Sequence, residues 1–214
     1  FLQVVLWTLV WAFFATFINY FLGMAVALLI NSKTVKLKKL WRTILITTIA
    51  VPQFVSLLLI NRMLSTNMGV VNALLGKWFG IQPIRWLESG TLTKVVIIVI
   101  NTWVGIPYTM LITSGILMNI PEDLYESARI DGAGKMRTFM KITMPYMLFV
   151  TGPYLISQFV GNINNFNVIY LLSGGGPLFS FGSQTPPDAL NGVGQTDLLI
   201  TWIYKLSLTN TNKY

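Results

Sequence analysis

Residues 122–145 read EDLYESARIDGAGKMRTFMKITMP, a charged and glycine-broken stretch held between two long apolar segments. Pro121 suits a first helical position, and Glu122 and Asp123 fall in the first turn, where the helix dipole favours negative charge. The pattern predicts a helix to about Asp131, a break at Gly132 and Gly134, and a second helix carrying Lys135, Arg137 and Lys141 before Pro145. Glu122 and Glu126, four apart, repel mildly on one helix face, and Arg129 relieves part of that. Ser127 and Ala128 offer a small-residue surface, and Leu124, Tyr125 and Ile130 supply apolar anchors. Two readings fit: an amphipathic hairpin on a membrane face, or a docking element for a soluble partner.

The rest of the chain favours a membrane. Of 214 residues, 54% are hydrophobic and 10% charged, with mean hydropathy +0.64. Soluble domains average about 25% charged residues. The absence of Cys and His excludes thiolate nucleophiles, disulfides, imidazole bases and Cys/His zinc sites, so no metal or cofactor is expected. The net charge of +8 is concentrated in Lys33, Lys36, Lys38, Lys39 and Arg42, between two apolar spans. That is the positive-inside pattern, a solvated basic loop setting topology. It lacks the interleaved aromatics that stack bases, so no nucleic-acid partner is expected. Phe1 opens the sequence inside an apolar run with no basic leader, which reads as a start in mid-protein.

A crossing needs about 20 apolar residues. Four segments qualify: Leu2–Ile30, Thr43–Ile60 with Pro52 tolerated as a kink, Val95–Leu117 and Tyr146–Leu172. Within those bounds there is no Asp, Glu, Lys or Arg, which points to an uncharged passenger or none. With 31–42 cytoplasmic, residues 119–145 return to the cytoplasm, while 61–93 and 173–197 lie outside. Val70–Phe79 reads as a short interfacial helix ended by Gly80. Ser173–Pro177 carries three glycines but no Lys-Ser/Thr, and is expected to be a flexible outer turn rather than a phosphate loop. Asp197 should cap a surface-lying helix over 197–208. Residues 1–208 thus form one transmembrane domain, and 209–214 a tail.

Two polar stripes interrupt the apolar spans. Gln158, Asn162 and Asn165 follow one helical face at i, i+4 and i+7, and Asn101, Gly105 and Tyr108 do the same in the third span. Such amides either bond across helices and hold a bundle together, or line a cavity for a ligand rich in hydroxyls. For Asn164 and Asn167, on other faces, the bundle reading is the better one.

The loop over 122–145 resembles the cytoplasmic coupling loop of ABC-importer permeases. That pattern is Glu-Ala-Ala, a Gly six residues after the Glu, and Ile-x-Leu-Pro at the end. Here it stands as Glu126-Ser127-Ala128, Asp131-Gly132 and Ile142-x-Met144-Pro145, with Ser127 and Met144 departing from it. The stretches Asn101–Tyr108, Ser157–Phe159, Asn162–Phe166, the Gly-Gly-Pro turn and Thr196–Leu199 are similar to the larger membrane subunit of maltose/maltodextrin importers. The resemblance covers essentially the whole chain.

It implies an all-α integral membrane protein, a multi-span helical bundle of the MetI-like type I importer class, in the cytoplasmic (inner) membrane. It implies a permease that is not itself an enzyme. Its partners would be two ATP-binding subunits, a second permease subunit and an extracytoplasmic sugar-binding protein, and its passenger a neutral oligosaccharide, most of all a maltodextrin. Further spans would precede residue 1 and follow residue 208. By motif position Asn101, Val104, Gly105, Tyr108, Gln158, Gly161, Asn162 and Asn165 would line the sugar site. Glu126, Ser127, Ala128, Asp131, Gly132, Ile142 and Pro145 would couple to the ATPase. Gln158 stands where the family has Ser, and Gly161 where it has an aromatic ring, which implies a roomier site. The rival readings are a permease of the same superfamily for another solute, and a membrane anchor for a soluble partner that transports nothing.

Overall fold

The computed structural model describes residues 1–32, 35–179 and 192–211. Lys33 of the basic loop and residues 212–214 of the expected tail lie outside them. The elements are α1 (Leu2–Asn31), α2 (Lys38–Thr47) with a 3₁₀ turn at Thr48–Ala50, α3 (Gln53–Met63), α4 (Val70–Phe79) and α5 (Gly90–Leu117). Then follow α6 (Glu122–Ile130), α7 (Lys135–Thr138), a π-helical turn at Phe139–Thr143, α8 (Met144–Ile163), α9 (Phe166–Ser173) and α10 (Leu199–Thr211). Among the described residues the one extended pairing is an isolated bridge between Leu178 and Gly194.

The helices follow from the solvent. In hydrocarbon every backbone polar group needs an internal partner, and a helix supplies them within one segment. Among the described residues two helices, α1 and α5, are each long and apolar enough to cross a membrane. The expected span over 43–60 falls on a bent pair, α2 and α3, broken at an angle of 86° and together long and apolar enough to count as one span. Pro52 is the reason: it sits as the N-cap of α3, with no N–H to continue α2. The expected span over 146–172 is also interrupted, between Ile163 and Phe166. The third begins at Gly90 rather than Val95, and so takes in Lys94. Lys94 Nζ lies 4.7 Å from the centroid of the Trp7 ring, a cation–π contact near the start of α5.

The chain divides into two compact units, Phe1–Ala15 with Val51–Thr102 and Val160–Tyr214, and Thr16–Ala50 with Trp103–Phe159. In the first, Leu57 of α3 and Val168, Ile169 and Leu172 of α9 are buried, and Asn61 Nδ2 donates to the Leu172 carbonyl at 2.6 Å. Phe166 and Tyr170, stacked at 4.8 Å within α9, join it to α10 through ring contacts with Tyr204 of 4.9 and 5.5 Å. The expected interfacial helix is α4, ended by Gly80 at φ 64°. Buried Asn72 fixes α4 to the loops on both sides: Nδ2 donates to the carbonyls of Ile84 (2.9 Å) and Thr66 (3.2 Å), and Oδ1 accepts from Trp86 Nε1 (2.9 Å) and the Ile84 amide (3.2 Å).

The glycine turn is not free. Thr196 N donates to Gly175 O at 3.0 Å and Gln195 N to Pro177 O at 2.7 Å. Asp197 is wholly buried beside it, accepting from Lys205 Nζ at 2.7 Å, Thr201 Oγ1 at 2.9 Å and Gly194 N at 2.7 Å. Asp197 therefore locks the turn onto α10 through Thr201 and Lys205, and in place of the expected helix cap the Leu198 amide donates to Thr201 Oγ1 at 2.9 Å.

In the second unit Tyr20, Met24, Ile120 and Met147 form a buried cluster, and Ala27, Ile30 and Met110 another. α1 and α5 touch here at small residues. A Cβ on Gly23 would fall 2.6 Å from Thr109 Cβ. The basic loop does more than set topology: Lys38 Nζ donates to Asn31 O at 3.0 Å and Arg42 Nη2 to Asn31 Oδ1, placing cations at the C-terminus of α1.

Replacing Asn72 by Ala leaves Trp86 Nε1 and the Ile84 amide without their acceptor, a loss of about 1–3 kcal/mol. Hydrogen exchange at the Ile84 amide should accelerate in that variant; unchanged protection would refute the anchoring role of Asn72.

Candidate functional site

In the second unit, α6 presents one face outward. Glu126, Ser127 and Asp131 are exposed, and so are Leu124 and Ile130, the latter 86% exposed. The helix stops where the sequence predicts: Gly132 adopts φ 72°, and Ala133 N donates to Ala128 O at 2.8 Å. Three details differ from the expectation. Ala128 faces inward and is buried, so Ser127 alone supplies the small outward surface. Tyr125 is no outer anchor either. It packs on the Tyr20–Met147 cluster, and its hydroxyl lies 3.1 Å from Thr143 Oγ1, tying α6 to the π-helical turn. Nor does Arg129 pair with Glu126: the described residues hold ion pairs only at Arg85–Glu88 and Asp197–Lys205. The acidic face is left open. Ile142 is half-buried and Pro145 exposed at the return into α8.

The residues of the two polar stripes fall in both units. The second holds Val104, Gly105, Tyr108 and Gln158. Tyr108 is 48% exposed, and its ring tilts against Tyr154 of α8 at 6.4 Å between centroids. The Tyr154 hydroxyl lies 3.2 Å from Thr109 Oγ1. Gly105 turns its open side to α1, where a Cβ would fall 2.5 Å from Asn19 Nδ2. Val104 and Gln158 are half-buried. Tyr154 and Asn19 escaped the sequence reading. Tyr154 lies four residues before Gln158, at a helical repeat that could have revealed it, whereas Asn19 is a lone amide in an apolar run.

The first unit holds Asn101, Gly161, Asn162 and Asn165. Asn101 is 6% exposed, and its Nδ2 is buried without a hydrogen-bond partner. Such a donor costs about 1–3 kcal/mol unless a ligand or water meets it. Asn162 is buried, its carbonyl accepting from Trp11 Nε1 at 3.0 Å and its Oδ1 from Asn165 Nδ2 at 3.3 Å. Asn165 is not on the α8 face. It lies in the break after Ile163 and caps α9, accepting from Val168 N at 3.3 Å. Gly161 is exposed, with nothing within 4 Å of where its Cβ would be. Asn164 is exposed and bonds back to Val160 O at 3.2 Å.

The sequence matches the family described as "Binding-protein-dependent transport system inner membrane component" over residues 19–209. It is 38% identical over 211 residues to the galactooligosaccharides transport system permease protein of Bacillus subtilis (strain 168), covering 99% of this chain and 48% of that protein. It is 39% identical to the maltodextrin transport system permease protein of the same organism, covering 100% of this chain and 48% of that one. The maltose/maltodextrin transport system permease protein of Escherichia coli (strain K12) is 36% identical, with 97% and 39% covered. The chain spans about half the length, or less, of these curated relatives. The fold matches a crystal structure of a bacterial ABC transporter involved in the import of the acidic polysaccharide alginate, at TM-score 0.72 and 23% identity, over 99% of this chain and 69% of that one.

Asn165→Ala removes the α9 cap and should cost about 1 kcal/mol locally, whereas Asn165→Ser should retain most of it. Hydrogen exchange at the Val168 amide reads this directly. Equal protection in both variants would show that the cap carries no weight.

Proposed function

The chain belongs to the family of binding-protein-dependent transport system inner membrane components, and from that premise we propose that it forms part of the membrane path of an ATP-driven sugar importer. The passenger is a neutral oligosaccharide, most of all a maltodextrin, delivered by an extracytoplasmic binding protein. A second permease subunit completes the path, and two ATP-binding subunits drive it. Support for a sugar comes from the maltodextrin and galactooligosaccharide permeases among the relatives. Support for neutrality comes from α1 and α8, whose sequences carry no Asp, Glu, Lys or Arg.

The observation that carries the reading is the α6 loop. Its acidic, partly apolar outer face stands free while Tyr125 and Ala128 hold its inner face to the unit core. A helix gripped from outside and fixed within passes displacement on to α8 through the π-helical turn. Such turns recur at functional sites in helices. In this reading α6 lies on the cytoplasmic side, docks on an ATP-binding subunit through Glu126, Ser127, Leu124 and Ile130, and closing of the ATPase rocks the helices. The turn at Asp131 and Gly132, and the return through Ile142 and Pro145, keep that lever short. The permease hydrolyses nothing itself.

Asn101, Val104, Gly105, Tyr108, Gln158, Gly161, Asn162 and Asn165 are proposed to serve the sugar. Amides donate and accept as sugar hydroxyls do, and the exposed Tyr108 ring suits the apolar face of a sugar. The open space at Gly161 favours longer chains.

Glu126→Lys should abolish ATP-coupled uptake in the assembled importer while membrane insertion stays normal; uptake at the wild-type rate removes the docking role. Longer maltodextrins should compete for uptake at least as well as maltose. A strict preference for the disaccharide would count against the roomy site.

A further inference from the structure

Four buried side-chain polar atoms among the described residues have no hydrogen-bond partner: Asn19 Oδ1, Arg42 Nε, Asn101 Nδ2 and Trp202 Nε1. Asn101 already belongs to the proposed sugar site. Asn19 does not, and no sequence motif singles it out. It sits midway along α1, in a helix with no ionisable Asp, Glu, Lys or Arg.

Its position is set by α5. A Cβ on Gly105 would lie 2.5 Å from Asn19 Nδ2 and 2.8 Å from its Cγ and Oδ1, so the amide fills the space that Gly105 leaves. One turn further along both helices, Gly23 makes the same kind of room for Thr109. Gly105 has no side chain of its own to offer a ligand; the polar group at its level is the amide of Asn19. The hydroxyls in the neighbouring layers are engaged elsewhere, Thr151 Oγ1 donating to Tyr20 Oη at 2.8 Å and Thr109 Oγ1 lying 3.2 Å from Tyr154 Oη. An apolar side chain of similar size would pack here without stranding a carbonyl, so the stranded carbonyl asks for a reason.

We propose that Asn19 is a further sugar-contacting residue, with its amide hydrogen-bonding a hydroxyl of the passing oligosaccharide, and that Gly105 is a positioning residue that makes room for it. Sugar hydroxyls donate and accept, so either end of the amide serves after a half-turn about χ2. The inference rests on the sugar-importer reading above.

The test is uptake of radiolabelled maltotriose and galactotriose by the assembled importer, for wild type, Asn19→Leu, Gly105→Ala and the double variant Asn19→Ala/Gly105→Ala. Asn19→Leu should raise KM about tenfold with Vmax little changed, as loss of a substrate hydrogen bond does. Gly105→Ala should raise KM too, by displacing the amide. In the double variant the new Cβ has space, so packing is relieved; KM should nonetheless stay raised. A wild-type KM in Asn19→Leu, or recovery in the double variant, overturns the proposal and leaves Asn19 a packing residue. Should Asn19→Leu fail to assemble, the double variant introduces less bulk and carries the same test. A wild-type importer that takes up neither sugar refutes the importer reading itself, before any variant is compared, and this inference with it.

Discussion

The close approach of α1 and α5 at Gly23 and Gly105 is the constraint on which the second unit depends. In an apolar solvent helices gain nothing by hiding leucines from lipid, and small residues bring backbones near enough for dispersion and side-chain hydrogen bonds to act. A Cβ at either glycine would meet the facing helix at 2.5–2.6 Å. That contact places Asn19 against α5 and buries Met110 beside Ala27 and Ile30. It also sets Thr109 where its hydroxyl reaches Tyr154 of α8. Three helices are thus held in one polar and apolar layer whose anchor is two missing side chains.

Breaks in the helices matter as much as the helices. After Ala50 the chain turns because Pro52 supplies no donor, and after Ile163 it turns because Asn165 supplies a better one. At the second break the side chain of Asn165 meets the Val168 amide in the first turn of α9 and, at the same time, the side chain of Asn162. The carbonyl of Asn162 accepts from the Asn165 amide at 3.2 Å and from Trp11 Nε1 at 3.0 Å. A break inside apolar surroundings stands only when its orphaned groups are met in this way. The same amides that suggest a ligand therefore have local work, as Asn165 does at the start of α9.

Much of this was legible beforehand. The bounds of α4, the end of α6 at Gly132 and the break between the loop helices follow from turn residues and short-range periodicity, which are local. The faces of α1 were not. Its residues are apolar all round, so sequence gives no period by which to tell the buried Trp7, Trp11, Ala15 and Ala27 from the exposed Leu6, Leu9, Phe13 and Leu29. For the same reason nothing in the sequence singles out Asn19, since its position is set by a glycine on another helix. Ala128 and Tyr125 were misplaced because a short amphipathic helix can turn either face outward until its core is known. The breaks within 43–60 and 146–172, where proline or asparagine stops a helix inside an apolar run, were not legible, because hydropathy sees composition and not hydrogen bonding.

The polar groups along these apolar helices divide by whether they can satisfy themselves. Threonines do so locally: Thr8, Thr102 and Thr113 each donate to the carbonyl four residues back, at 2.7 Å. Asn31 and Asn164 use the same route, at 2.8 and 3.2 Å. Asn19 and Asn101 keep a buried amide end that has no partner. A charged group at such depth costs at least about 2.5 kcal/mol, and more without a counter-ion. An amide costs less and can be repaid by a single hydroxyl. Neutral amides are thus the least expensive way for an apolar helix to hold unspent hydrogen-bonding capacity. A many-hydroxyl, uncharged passenger matches that capacity, whereas an ion would meet no countercharge on α1 or α8.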